Sequence, residues 1–322
     1  MKKILFTNQY KGAPLDIVKS VLPDGFEIGM LEEATQEKLV NAVSTAEYIL
    51  AGGRLKITEE VLDNASHLKM IQRSGVGLDS LDLDAVKAHK IPLYVNKGVN
   101  AQSVAEHTLL LMLACLRRLP EIDVNTKKGV WNKQGQGVRT AELCGKTVGI
   151  IGMGSVAKTL VRLLKPFNVK ILYSDIVRAD GNFEKDNGMN FVTLDELLCS
   201  SDIIALNCAL TDETKHLINA KTIGKMKTGA IIVNTARGGI VDTAALAEAL
   251  KSGKLSFAGI DVHEEEPLPS EYILAKLDNV ILTPHIAGVT ADSFRAMMSA
   301  AFRNIEKFDK GEFADIEQYR YL

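Results

Sequence analysis

Val148-Gly149-Ile150-Ile151-Gly152-Met153-Gly154-Ser155-Val156-Ala157 is an apolar strand that runs into a GxGxxA turn and then into a helix reaching Leu164. Each small residue in the turn has a separate task. Gly152 permits the tight reversal, Gly154 lets backbone approach a pyrophosphate, and Ala157 allows the helix to lie close on the strand. The helix expected over Lys158–Leu164, approached through Ser155 and Val156, offers at its N-terminus oriented N–H groups, which favour an anion. The following strand ends at Tyr173-Ser174-Asp175. Its aspartate stands where an acidic side chain accepts from a ribose 2′-hydroxyl and repels a 2′-phosphate, so NAD is expected over NADP. Arg178, three residues on, keeps NADP open as an alternative.

Working outward, strand-length apolar runs alternate with helix-period segments on both sides. Expected strands before residue 100 are Ile4–Asn8, Phe26–Met30, Tyr48–Ala51, Met70–Ser74 and Leu93–Asn96, with helices around Leu15–Val21, Gln36–Val43, Thr58–Asn64 and Leu83–Ala88. After the turn come strands Lys170–Tyr173, Ile203–Leu206, Ile231–Asn234, Phe257–Asp261 and Val280–Leu282, then a last helix over Ala291–Lys310. Such alternation predicts an α/β protein of two doubly wound parallel sheets with ligands in the cleft between them. Between the two series lies a helix from Ser103 to about Arg118 that is apolar nearly all round in its second half. It is expected to be covered on every side, at a domain or subunit boundary.

Three further blocks each bring polar residues to the end of an apolar strand. They are Asn234-Thr235-Ala236-Arg237-Gly238, Asp261-Val262-His263-Glu264-Glu265-Glu266-Pro267, and Thr283-Pro284-His285-Ile286-Ala287-Gly288. Hydride arriving at a keto carbon leaves negative charge on oxygen, which calls for a proton donor and a fixed positive field. A histidine can give that proton and take it back, a carboxylate on its other nitrogen favours the imidazolium, and a guanidinium can hold a carboxylate and carbonyl together.

Taken in order, these blocks resemble the D-isomer-specific 2-hydroxyacid dehydrogenases over essentially the whole chain. The resemblance implies a flavodoxin-like substrate domain, residues 1–100 with 286–322, and a Rossmann NAD-binding domain, residues 101–285. It implies Arg237, Glu266 and His285 as catalytic residues, with Arg237 and His285 also touching substrate. Cys208, Thr235, Ala236, Asp261 and Gly288 are implied to join Gly152, Gly154, Ser155, Val156 and Asp175 around NAD. Arg73-Ser74-Gly75-Val76-Gly77 follows a strand and could form a nest of N–H groups; by the resemblance, Val76 and Gly77 contact substrate. Asn100 and Ser103-Val104-Ala105-Glu106 match the family segment that opens the long helix beside the nicotinamide. Glu264 and Glu265 rival Glu266, but only the residue before the proline matches the family position. His263 stands where the family is commonly aromatic. Asn207-Cys208-Ala209-Leu210-Thr211 replaces a common His-x-Pro-Leu-Thr, and Lys97 a common proline.

Bulk properties narrow the rest. The 322 residues hold 38 Lys and Arg against 40 Asp and Glu, a formal net charge of −2, with no basic stripe, so nucleic acid is not an expected partner. The longest apolar run, Leu109–Leu116, is too short to cross a bilayer. Cys115, Cys144, Cys199 and Cys208 show no CxxC pairing and are expected to be reduced core residues of a cytoplasmic protein. His67, His89 and His216 are expected to be solvated and His107 packed or at an interface; no metal-ligand spacing occurs. The expected function is interconversion of a small 2-keto acid and its D-2-hydroxy acid by a homodimer of such chains. Formate dehydrogenases, with glutamine at the Glu266 position, fit less well. A D-3-phosphoglycerate dehydrogenase, with Arg54 and Arg73 meeting a phosphate, is the alternative within the family. An NAD-sensing corepressor-like scaffold is the alternative outside catalysis.

Overall fold

A computed structural model describes residues 1–322, which separate into two compact units, Met1–Asn100 with Thr290–Leu322 and Ala101–Val289. The second unit thus ends four residues beyond the expected boundary at 285, because the loop carrying His285 stays bonded to its own sheet.

The first unit is a five-stranded parallel sheet of β1 (Lys2–Phe6), β2 (Phe26–Met30), β3 (Tyr48–Ala51), β4 (Met70–Arg73) and β5 (Leu93–Val95), in the order β2-β1-β3-β4-β5. This is the flavodoxin-like winding. β1 lies two residues earlier than expected, since Thr7 and Asn8 already belong to the loop. Helices start on side-chain caps: Thr35 accepts from the Lys38 amide, Thr58 from Val61 and Asp82 from Ala85. One sheet face packs Leu5, Ile49, Ile71 and Leu93 against those helices. The other packs Ile4, Phe6, Tyr48, Met70 and Tyr94 against Met298, Ala301, Phe302 and Ile305 of the final helix, Ala291–Asp309.

The second unit is a seven-stranded parallel sheet: β6 (Thr147–Ile151), β7 (Lys170–Ser174), β8 (Met189–Phe191), β9 (Ile203–Leu206), β10 (Ala230–Asn234), β11 (Leu255–Ile260) and β12 (Val280–Leu282). The order β12-β11-β10-β9-β6-β7-β8 is the Rossmann winding with one strand added, and its switch point falls between β6 and β9. β8 has only three residues, two of them exposed, too few to show an alternation in sequence.

The long helix, Ala101–Arg117, buries Ala105, Leu111, Met112, Cys115 and Leu116 against the helix Ser155–Leu164 and the sheet. It is not covered all round within its unit, for Leu110 is 52% exposed. The cysteines also depart from expectation. Cys115 alone is buried; Cys144 and Cys199 are exposed and Cys208 is half-buried. Their neighbouring apolar runs are short, and they sit at the ends of those runs.

Candidate active site

The site grows out of strand register. Asn234 pairs with Ile260 across β10 and β11, and Ile260 pairs with Leu282 across β11 and β12. Three strands therefore end side by side, and the next residues of each begin adjacent loops.

The first loop carries Arg237. Asn234 is fully buried; its side-chain oxygen accepts from the Ala236 amide at 3.0 Å and its amide donates to the Arg237 carbonyl at 2.9 Å. The guanidinium, half-buried, donates to the Ala236 carbonyl at 2.7 Å. Gly238 lies so close to the second loop that a Cβ there would stand 1.9 Å from the His263 carbonyl carbon, so only glycine fits. Thr235 is buried with its hydroxyl 2.8 Å from that of Thr108 on the long helix.

The second and third loops meet through carboxylates. His285 Nδ1 lies 2.7 Å from Glu266 Oε2, while Glu266 Oε1 accepts from the His263 amide at 2.9 Å. The Glu266 hydrogen bond raises the His285 pKa above its ordinary value, against burial and the nearby Arg237 guanidinium, which lower it. Burial pushes the Glu266 carboxyl up, but the bonds from His285 and the His263 amide together hold it below the usual range. Among the rival glutamates, Glu264 instead reaches His216 at 2.6 Å and accepts from the Thr243 amide, and Glu265 is exposed. His216 is therefore bonded to a carboxylate rather than merely solvated.

Asp261 sets the third loop. It is wholly buried, and its carboxylate accepts from the Thr283 hydroxyl, from the Ile286 amide at 2.9 Å and from the Ala287 amide at 2.9 Å. Its carbonyl accepts from the His285 amide at 2.7 Å. These bonds hold His285 at a φ of 54°, a left-handed conformation that costs a non-glycine residue about 1 kcal/mol. Gly288 follows in the same loop. His107 was missed as part of this cluster: its Nε2 lies 3.1 Å from the Thr283 hydroxyl and 3.6 Å from Asp261. A histidine on an apolar helix face was the available signal.

At the switch point Gly152 has a φ of 91°, and a Cβ there would meet the Cys208 amide nitrogen at 2.6 Å. The helix starting at Ser155 has Gly154 as N-cap and no capping side chain, whereas the helices starting at Gly181, Leu194, Ala220 and Thr243 are capped by Asp180, Thr193, Asn219 and Asp242. A Cβ built on Gly154 would meet only open space. Asn207 Oδ1, beside this turn in sequence contact with Cys208, is a buried acceptor with no partner. Asp175 accepts from the Met153 amide and, at 3.1 Å, from the Val177 amide; a carboxylate has lone pairs left for a hydroxyl. Uncapped amides, a vacant approach and an unpaired acceptor fit a dinucleotide. Burial pushes the Cys208 thiol up to about 11, so it stays protonated and unreactive near neutrality.

In the first unit Val76 is exposed and Gly77 half-buried. Arg73, expected to be open to a phosphate, is buried, with its guanidinium donating to the Ala51 carbonyl at 2.7 Å and to that of Gly77. A neutral amide ladder lies beneath the same loop. Asn304 donates to Gln72, Gln72 to Asn96, and Asn96 to the Ser74 and Met297 carbonyls. Sequence reading missed it, because isolated Asn and Gln carry no motif.

The profile of the D-isomer specific 2-hydroxyacid dehydrogenase NAD binding domain matches residues 109–287. The chain belongs to this family. It is 40% identical to a glyoxylate reductase of Thermofilum pendens over 86% of this chain and 83% of the relative. It is 38% identical to a D-3-phosphoglycerate dehydrogenase of Archaeoglobus fulgidus over 90% of this chain but 54% of that longer protein. The holo structure of Rhodotorula graminis D-mandelate dehydrogenase superposes with a TM-score of 0.86 at 29% identity, over 95% of this chain and 94% of that one. As a member of the D-isomer-specific 2-hydroxyacid dehydrogenases, the chain is an NAD-dependent oxidoreductase acting on CH–OH donors. Its NAD-binding domain is the one built on β6 to β12.

Proposed function

We propose that this enzyme reduces a small, unphosphorylated 2-keto acid of the glyoxylate or hydroxypyruvate type to its D-2-hydroxy acid, with His285 as the acid, Glu266 as its partner and Arg237 as the substrate-binding cation. The observation that carries the reading is the His285–Glu266 hydrogen bond, beside an arginine on the neighbouring loop. Gly152, Gly154, Ser155, Val156, Asp175, Cys208, Thr235, Ala236, Asp261 and Gly288 would hold NAD, which when bound would supply or accept the hydride. With Nδ1 engaged by Glu266, the transferable proton sits on Nε2 of His285. Arg237, charged at every working pH, holds the substrate carboxylate and stabilises the developing alkoxide. In the first unit, the amides of Val76 and Gly77 are proposed to assist with the carboxylate. Engagement of Arg73 by two backbone carbonyls supports the unphosphorylated class, although Arg54, the other cation named for a phosphate, is exposed.

The pH dependence follows from the raised His285 value. Reduction needs the imidazolium, so its rate is full below that value and falls as pH rises through it; oxidation behaves inversely. The decisive measurement is turnover of NADH with glyoxylate, hydroxypyruvate, pyruvate and phosphohydroxypyruvate. Oxidation with none of them would overturn catalysis in favour of a sensing role, and a preference for the phosphorylated acid would overturn the substrate class.

We also propose a cytoplasmic homodimer. No helix is long and apolar enough to cross a membrane. Leu110, Leu119, Val124, Val130, Trp131 and Val138 are exposed within one stretch of the second unit, Trp131 at 84% and Val138 at 83%. Apolar exposure concentrated in one segment supports an interface there. Sedimentation equilibrium should give twice the chain mass, and Trp131→Glu should weaken it.

A further inference from the structure

His263 departs from the aromatic residue expected at its place, and its surroundings show a use for the two ring nitrogens. The side chain is buried. Nε2 lies 3.0 Å from the Thr283 carbonyl oxygen, which can only accept, so Nε2 carries a proton. Nδ1 lies 3.2 Å from the Tyr272 hydroxyl, which donates to it when the ring is neutral. The two rings stand edge to face, 5.4 Å between centroids. The backbone amide of the same residue donates to Glu266 Oε1, and Gly238 of the arginine loop presses on its carbonyl. One residue therefore touches the loops of Arg237, Glu266 and His285.

We propose that His263 is a positioning residue. Its ring ties the Thr283 carbonyl, two residues before His285, to the loop that bears Glu266, and so keeps carboxylate and imidazole paired. The inference rests on the assignment of His285 and Glu266 made above. An aromatic ring fills the same volume without the tie. Such a substitution leaves the Thr283 carbonyl only its local bond from the His285 amide, at 3.1 Å, and lets the third loop drift from Glu266, which removes part of what raises His285. Tyr272 completes the device by engaging the other ring nitrogen, Nδ1, of His263.

The test titrates His285 itself by NMR in the NADH-bound enzyme, alongside the pH profile of reduction, in the native protein and in His263→Phe and His263→Gln. His263→Phe should move the His285 titration to lower pH by roughly half a unit, the worth of one weakened hydrogen bond. The falling limb of kcat should move with it, while the dissociation constant for NADH stays within about twofold. His263→Gln, whose amide can donate to the same carbonyl, should restore most of the shift. An unmoved His285 titration in folded His263→Phe overturns the inference. A native kcat limb that ignores the His285 titration overturns instead the assignment of His285 as the acid. Should His263→Phe fail to fold, Tyr272→Phe gives the same readout, with a smaller shift expected and an unmoved titration again fatal.

Discussion

The loop after β4 and the loop after β12 are both pinned from below, yet by opposite chemistries. Under residues 74–77 the ties are mostly neutral amides, Asn304 to Gln72 to Asn96 to the Ser74 carbonyl, with Arg73 bonded to carbonyls. Under residues 283–288 the ties converge on one fully buried carboxylate, Asp261, and on a charged pair. Neutral ties fix a shape and are indifferent to pH. Ionic ties fix a shape and a protonation state together, which the acid–base role proposed for His285 would require. The difference teaches that the first unit is built to hold something still and the second to hold a proton.

The comparison breaks most visibly at Arg237. Arg237→Ala should cut kcat/KM for the preferred keto acid by about 10³-fold, with NADH affinity by fluorescence titration little changed; a loss under tenfold would remove its role. Asp261→Ala comes next. It strands three donors in a buried site and should destabilise the protein by about 3 kcal/mol in urea unfolding, with activity lost in the surviving fold. An effect below about 1 kcal/mol would mean the loop is held by other means.

Glu266→Gln should then lower kcat for reduction by about 10²-fold at slightly alkaline pH and move its falling limb to lower pH. The sign follows because the carboxylate raises His285; a limb that stays put contradicts the pairing. The smallest effect belongs to the neutral ladder. Asn96→Ala should cost about 1–2 kcal/mol and raise KM for the keto acid severalfold without moving any pH limb. A shifted limb in that variant would erase the distinction drawn between the two loops.

This contrast also governs what the sequence can reveal. The sheets were readable because parallel buried strands are near-continuous apolar runs and their caps and glycine turns are local. Phe26–Met30, Tyr48–Ala51, Ile203–Leu206 and Val280–Leu282 coincide with observed strands to the residue. That the loops of Arg237, Glu266 and His285 would adjoin was readable because each follows a strand in a short dense motif. β8 was not, being three residues long, nor was the ladder of Gln72, Asn96 and Asn304, whose members lie far apart in sequence and meet only in the folded unit. Arg73 misled for a related reason: a cation after a strand looks available until the carbonyls around it are known. The same holds for His107, which shares a cluster with Asp261 only once the long helix is laid on the sheet.

The order of the first unit along the chain carries a consequence for biosynthesis. Its five strands have all emerged by Val95, but the helix that covers Ile4, Phe6, Tyr48 and Tyr94 begins only at Ala291, after the whole second unit has passed. During translation one greasy face of the nascent sheet waits only partly covered, by Val18, Val21 and Leu22, while the dinucleotide domain folds behind it. Ser103 donates to the Ala287 carbonyl at 2.8 Å, so the inserted domain brings its own entrance and exit together. That closure delivers the late helix back to the waiting sheet.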